Sequence, residues 1–239
     1  MTDNQDDPLR DLNASPLNPL PGAVWLLLAV ILGVEAVLWG AHFGLVVGSE
    51  GLGWRIEAIQ RYAFSSAIQD WMLQNRTFPA MHLVRYASFS FVHGGLMHAV
   101  FAAVLVAALG KSVAEAFGSA RFLVLALVTP ILAAVVFGLV MGTDALGWLI
   151  GAMPMVFGLV GAFTWMRWRE AAGDRERQRR AFALIGMLLV ARLGFGLFAE
   201  TGPSWIAEVA AFVLGFGLSA LFLGPGSWHR LRERLRGGA

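Results

Sequence analysis

The stretch GTDALGWLIGAMPMVFGLVGAFTWMRWR, residues 142–169, decides the fold of this chain. Its centre is apolar enough to lie in lipid, but Gly147, Gly151 and Pro154 interrupt its first half. Because proline fits best in the first turn of a helix, we expect a regular helix from about Met153 to Trp168. At 1.5 Å per residue this helix covers about 22 Å, which is less than the ~30 Å hydrocarbon core of a bilayer.

The irregular segment before this helix, residues 142–152, must supply the missing length. Irregular backbone at membrane depth is tolerated only where protein or water surrounds it. We therefore expect a short central helix that starts below the membrane surface, with other helices around it. Small residues at Gly151, Gly158 and Gly161 would allow those helices to pack closely. The alternative is a full-length, kinked span that begins near Leu146.

The composition indicates a polytopic membrane protein. The 239 residues are 57% hydrophobic and 14% charged, and the mean hydropathy is +0.65, values that soluble domains do not reach. The chain has no cysteine, which excludes disulfide and thiolate chemistry. Residues 1–19 are polar and acidic and lack the pattern of a signal peptide, so we expect a disordered tail.

Apolar stretches predict an all-α domain of six spans over residues 20–223. Besides the short central span, the stretches are residues 20–46, 91–109, 121–141, 181–199 and 205–223. Pro130 predicts a kink or break in the third. The long first loop, residues 48–90, has the apolar spacing of short amphipathic helices that lie in the membrane interface.

Lysine and arginine are concentrated in the links after spans two and four and in the tail at residues 224–239, and are missing from the links after spans three and five. The positive-inside rule therefore places the even-numbered links and both termini in the cytoplasm. We expect the inner (cell) membrane of a bacterium. The basic links suggest contacts with anionic lipid, and no nucleic acid is expected as a partner.

Three charged residues lie inside predicted spans, namely Glu35, Arg192 and Glu208. Each costs about 2.5–3.5 kcal/mol at mid-bilayer and so requires a partner or a function. Similar depth in neighbouring spans predicts an ion pair between Arg192 and Glu208, with Glu35 as the alternative partner of Arg192. Such a pair could lock the helices together or line a polar cavity open to the outside.

Two histidines, His93 and His98, lie in the predicted second span. They are five residues apart and so do not share one helix face as an i, i+4 pair would. The sequence therefore predicts no metal site, and no cofactor is expected. For His98, a hydrogen-bonded interior histidine and a functional one remain equally open.

A set of motifs follows in order along residues 81–223: VRY at 84–86, HGGLMHAVFAA at 93–103, Gly110 with Glu115, GSARF at 118–122, the stretch 148–161, and Glu208 followed by Ala211 and Gly215. In this order they resemble the rhomboid family of intramembrane serine proteases. The resemblance implies a six-helix bundle with a short fourth helix. Val84 stands where the family has tryptophan before Arg85, and Glu115 is one residue later than the family's glutamate.

The resemblance also implies that no catalytic set is intact. The family's nucleophilic serine falls on Met153, its general-base histidine on Glu208 and its oxyanion asparagine on Ala102, while His98 is kept. A thioether has no proton to lose and cannot form an acyl-enzyme. Pro154 also removes a backbone N–H where the family has glycine.

Three functions follow as hypotheses. The first is a pseudoprotease that binds single-span membrane proteins through His98, Met153, Phe157 and Glu208, with Glu35, Arg85 and Arg192 as structural polar residues. The second is an intramembrane serine endopeptidase with an unconventional site. The third is a small transporter or proton path through Glu35, Arg192 and Glu208. The sequence leaves the client and the oligomeric state open.

Overall fold

The computed structural model describes residues 20–45, 51, 53–183, 185–187, 190 and 202–222. In chain order, the helices described are α1 (Gly22–His42), α2 (Trp54–Tyr62), α3 (Ser66–Asn75), α4 (Ala80–Leu83), α5 (Arg85–Ser88), α6 (Leu96–Phe117), α7 (Ser119–Met141), α8 (Met153–Glu170), α9 (Arg175–Arg180) and α10 (Trp205–Phe222). Within these residues, four helices are long and apolar enough to cross a membrane: α1, α6, α7 and α10.

The short helix begins where the sequence predicts. Residues 142–152 form turns, bends and the strand β2 (Trp148–Leu149), and α8 then starts at Met153 with Pro154 in its first turn. The alternative of a span that begins near Leu146 is therefore wrong. The helix ends at Glu170, slightly later than predicted, and its start below the membrane surface stays a prediction.

The predicted second span has the wrong bounds. The helix α6 covers Leu96–Phe117 instead of residues 91–109, and a 3-10 turn at Phe89–Phe91 precedes it. Consecutive glycines at 94 and 95 disfavour a helix there, whereas the stretch KSVAEAF beyond Gly110 continues the helix to Phe117. His93 consequently lies before the span, not within it.

The predicted break at Pro130 is absent from the third span. The helix α7 runs unbroken through Pro130. The neighbouring Thr129 Oγ1 donates a hydrogen bond of 2.7 Å to the Leu125 carbonyl, which satisfies polar groups inside the bundle next to the proline. The first and last spans agree with α1 and α10 to within a few residues, and most of the predicted fifth span, residues 181–199, lies outside the described residues.

The long first loop contains short helices, as predicted: α2, α3, α4 and α5. It also contains a strand that the sequence did not predict, β1 (Phe64–Ser65), which pairs antiparallel with β2. In this pair Phe64 lies opposite Leu149 and Ser65 opposite Trp148. The first loop is thereby joined to the segment that leads into α8.

The helix α8 lies at the centre of the bundle and packs against α6, α7 and α10. Three glycines make the closest of these contacts. A Cβ at Gly158 would overlap the Thr129 hydroxyl of α7, and one at Gly215 would overlap the Gly158 carbonyl oxygen. A Cβ at Gly161 would overlap the Phe212 carbonyl oxygen of α10. The small residues in the opening stretch therefore do let the helices approach closely.

Candidate functional site

The start of α8 is fixed by backbone hydrogen bonds to the segment before α6. Gly151 N–H donates to the Phe89 carbonyl at 2.8 Å. Ala152 N–H donates to His93 Nε2 at 3.2 Å. Gly151 has φ +84°, a conformation that favours glycine. The loop that precedes Met153 is thus held by two neighbouring elements rather than by its own secondary structure.

His98 lies directly against this loop. A Cβ at Gly151 would lie 2.6 Å from His98 Cε1 and Nε2, so only glycine leaves room for the imidazole. Gly94 N–H lies 3.4 Å from His98 Nδ1, which acts as the acceptor. The His93 and His98 rings meet edge to face with centroids 5.1 Å apart. The structure therefore brings both histidines to the start of α8.

His93 is fully buried and neutral. Burial lowers its pKa to about 4, with smaller contributions in the same direction from His98 and Arg55, while Glu35 opposes them. An imidazole that accepts a hydrogen bond from Ala152 N–H through Nε2 is suited to positioning the backbone of this loop. No role for His93 was predicted from the sequence, and only its spacing from His98 could have suggested one.

Met153 is the first residue of α8 and is half-buried against the core. Ala102 lies one helical turn beyond His98 on α6 and is fully buried, so it offers no polar group. Phe157 is 1% exposed and packs in the core. A client helix could touch Phe157 only if the helices around α8 moved apart.

Glu208 lies in the first turn of α10 and is 1% exposed. Ser204 Oγ donates a hydrogen bond of 3.4 Å to Glu208 Oε1. Glu208, Ala211 and Gly215 follow one another at helical spacing and are buried, which places Glu208 on the face of α10 that packs against α8. The Ser204 contact was missed, although serine and glutamate four residues apart at a helix start is a recognisable signal.

Glu35 forms an ion pair that the sequence did not predict. Its two carboxylate oxygens accept hydrogen bonds of 2.7 and 3.0 Å from the guanidinium of Arg55 on α2. Arg55 also donates to the His93 carbonyl at 2.8 Å. Glu35 is 1% exposed and Arg55 20%, so the pair is largely desolvated. The proposed alternative partner, Arg192, lies outside the described residues.

The Glu35–Arg55 pair connects α1, the first loop and the segment around His93. A bidentate contact of this kind fixes geometry as well as charge. With both oxygens of Glu35 bonded to one guanidinium, this carboxylate is better placed to hold the loop than to carry protons through the bundle. The amphipathic pattern of α2, with Arg55 at its start, was the only signal for this contact.

Arg85 and Tyr86 hold the rest of the first loop. Arg85 donates to the carbonyls of Ala63 and Gln60 at 2.8 and 2.7 Å, and burial lowers its pKa. Tyr86 donates to Gln69 Oε1 at 2.8 Å, and burial raises its pKa. Gln69 in turn donates to the Val135 carbonyl of α7 at 3.1 Å. These contacts join α5 to α2, α3 and α7, and the structural role of Arg85 stays a prediction.

The elements around this site match a known family. The family model described as "Rhomboid domain" matches residues 80–225, which extend from α4 through α10. The chain belongs to the rhomboid family. No curated protein matches the chain in a direct comparison. Family membership and the apolar helices together make it a multi-pass integral membrane protein.

The rhomboid match covers both histidines, the start of α8 and Glu208, whereas the Glu35–Arg55 pair lies upstream of it. Within the part of the chain that the structure describes, no three His, Cys, Asp or Glu side chains come together as a metal site. The site of this rhomboid protein therefore offers two imidazoles, one carboxylate with a serine hydroxyl, and the thioether of Met153.

Proposed function

We propose that this rhomboid-family protein is a pseudoprotease that binds transmembrane helices of other membrane proteins. The observation that carries the proposal is the identity of the residue at the start of α8. The loop before α8 is held in place by His93, His98 and Phe89, yet its next residue is Met153, the position that the resemblance assigns to the nucleophile. A thioether has no proton to lose, so it cannot attack a peptide carbonyl and form an acyl-enzyme.

The surface that would receive a client lies on α6, beside His98. Met97, Phe101 and Val104 are 78%, 55% and 59% exposed and follow at i, i+4 and i+7 spacing. This apolar stripe begins one residue before His98, so a helix docked on it would reach the polar start of α8. Association of helices in lipid depends on such packing and on interhelical hydrogen bonds.

Photo-crosslinking in native membranes tests this proposal. A photoreactive residue replaces Phe101 on the α6 stripe, and a matched control replaces Leu139 on α7, which is 64% exposed. We expect single-span proteins to be captured at least several-fold more strongly at position 101 than at position 139. Equal capture at both positions would reject client binding at this face.

One observation favours a second function, the intramembrane endopeptidase with an unconventional site. Ser204 Oγ donates to the Glu208 carboxylate, which pairs a hydroxyl with a base beside α8. Histidine is the most frequent general base in enzymes, and a carboxylate stands in its place here, which weighs against this function.

A cleavage assay with purified protein and a labile transmembrane substrate separates the two functions. The pseudoprotease predicts no cleavage by the wild-type protein. Cleavage that is lost in Ser204→Ala or Glu208→Ala but kept in Met153→Ala would establish the endopeptidase with Ser204 as its nucleophile. Cleavage lost in His98→Ala alone would indicate a site built from other residues.

A further inference from the structure

A polar cavity lies at the end of α8 opposite to Met153. It has a volume of about 420 Å³ and lies between the last turn of α8 and the short helix α9. Its lining consists of Arg167, Glu170, Ala171, Arg177, Arg180 and Ala181. Three arginines against one glutamate leave a surplus of positive charge, and the volume falls in the range of small-molecule sites, ~300–1,000 Å³.

The turn between the two helices keeps these arginines together. Asp174 caps α9 by accepting hydrogen bonds of 3.1 Å from the N–H groups of both Glu176 and Arg177. Gly173, with φ +99°, allows the chain to reverse just before that cap. The arginines of α9 are thereby set beside the last turn of α8.

The arginines of the cavity are paired with acids, but only weakly. Arg167 lies 3.0 Å from Glu170, Arg177 lies 3.1 Å from Asp174, and Arg180 bonds Glu176. The three arginine side chains are between 58% and 77% exposed. Exposed pairs of this kind contribute ~0–1 kcal/mol each, so an anion can compete for the guanidinium groups. Each guanidinium also has five N–H donors and can hold a second acceptor.

Aromatic residues follow two of the lining residues along the chain. Trp168, which follows Arg167, packs against Phe216 with ring centroids 6.1 Å apart, and Phe216 packs against Phe182 at 5.9 Å. Phe182 follows Ala181 of the cavity and is 39% exposed. Tryptophan and exposed apolar rings beside arginines are typical of the membrane–water interface. An anion bound here could therefore extend an apolar chain along Phe182.

We propose that this cavity binds the phosphate of an anionic membrane phospholipid, with its acyl chains along the aromatic side. Arginine binds phosphate oxygens in a bidentate manner, which a surface of scattered lysines does not. Basic pockets at the cytoplasmic ends of spans are known to select anionic headgroups, and the charge pattern predicts that side for the end of α8. The site is independent of the one around Met153.

The test measures lipid binding to the full chain. Purified protein in neutral-lipid nanodiscs is titrated with phosphatidylglycerol, and bound lipid is counted by native mass spectrometry. Arg177→Gln/Arg180→Gln removes two charges from the cavity. Arg175→Gln/Arg179→Gln removes two charges from the same helix but from residues that do not line the cavity. We expect at least tenfold weaker binding in the first variant and less than a twofold change in the second.

Two results would overturn the proposal. An equal loss of binding in both variants would show that lipid binding responds to charge alone. Binding of inorganic phosphate as strong as that of phosphatidylglycerol would point to a free anion as the ligand. If the glutamine variant does not fold, Arg177→Lys/Arg180→Lys keeps the charge but not the bidentate geometry. It should bind at least threefold more weakly than the wild type, and unchanged binding would equally reject the site.

Discussion

The start and the middle of α8 are held in place by different means. At the start, Gly151 and Ala152 are bonded to Phe89 and His93, and the His98 imidazole lies against the backbone. In the middle, Gly158 lies against Gly215 of α10, backbone to backbone. Apart from the backbone hydrogen bond between Gly151 and Phe89, the contacts at the start are made by side chains, which can rotate or be replaced. The two backbones in contact in the middle can separate only if a helix moves. The start can therefore change its chemistry while the middle preserves the bundle.

The strongest test of this contrast is Gly215→Ala. Its new methyl group would overlap the Gly158 carbonyl oxygen, so α10 must move away from α8. We expect a loss of about 3 kcal/mol or more in stability, at the upper end of the cost of overpacking. SDS-induced unfolding of the detergent-solubilised protein measures it.

Gly217→Ala is the matched control on the same helix, because a Cβ at Gly217 meets nothing within 4 Å. This variant should be neutral or slightly stabilising, since alanine favours helices more than glycine does. If both variants lose the same stability, the close approach of α8 and α10 does not hold the bundle together.

The start of α8 should tolerate change better than the middle, and Gly151→Ala tests this. Alanine at φ +84° is strained, and its methyl group would lie 2.6 Å from the His98 ring. We expect a loss of about 2 kcal/mol in the free energy of unfolding, in part from strain in the backbone and in part from the overlap with the imidazole ring. The same unfolding assay applies.

Two companion variants separate the backbone strain from the overlap with the His98 ring. Gly142→Ala, at φ +53° and ψ −123° with nothing within 4 Å of its Cβ, carries only the backbone cost, about 1–3 kcal/mol. The double variant Gly151→Ala/His98→Ala should be less impaired than the two single losses added together, because removing the ring removes the clash. Strict additivity would mean that His98 does not press on Gly151.

The fold could be predicted from the sequence where one residue dictates local geometry. Pro154 predicted the position of the first turn of α8, and the glycines at 158 and 161 predicted close packing of the helices. The second span was misplaced because hydropathy does not distinguish an apolar loop from a helix, so Phe91 and Val92 were counted as part of it. The strand pair β1–β2 was missed because two residues carry no periodicity.

The site was predicted less completely, because its contacts cross between distant parts of the chain. His98 was identified from the motif around it, and it does lie at the start of α8. The partner of Glu35 was sought among the spans, but Arg55 reaches it from the first loop. A charge within an amphipathic segment gives no sign of which way its side chain points, so only the structure could supply this pair.

The smallest expected effect is the response of the start of α8 to acid. His93 lies outside the spans, and burial holds its pKa at about 4, below the ordinary value of 6.5. The unfolded chain therefore binds more protons than the folded one between these two values, and stability falls as the pH falls from 6.5 to 4. Between pH 7 and pH 5 we expect a loss of about 1.8 kcal/mol in the free energy of unfolding.

His93→Gln isolates this contribution, since an amide oxygen can accept from Ala152 N–H but does not titrate in this range. The variant should lose most of the difference in stability between pH 7 and pH 5. The remaining charges near His93, on Glu35 and Arg55, are paired with each other. An unchanged acid response in His93→Gln would show that the buried imidazole does not couple the start of α8 to pH.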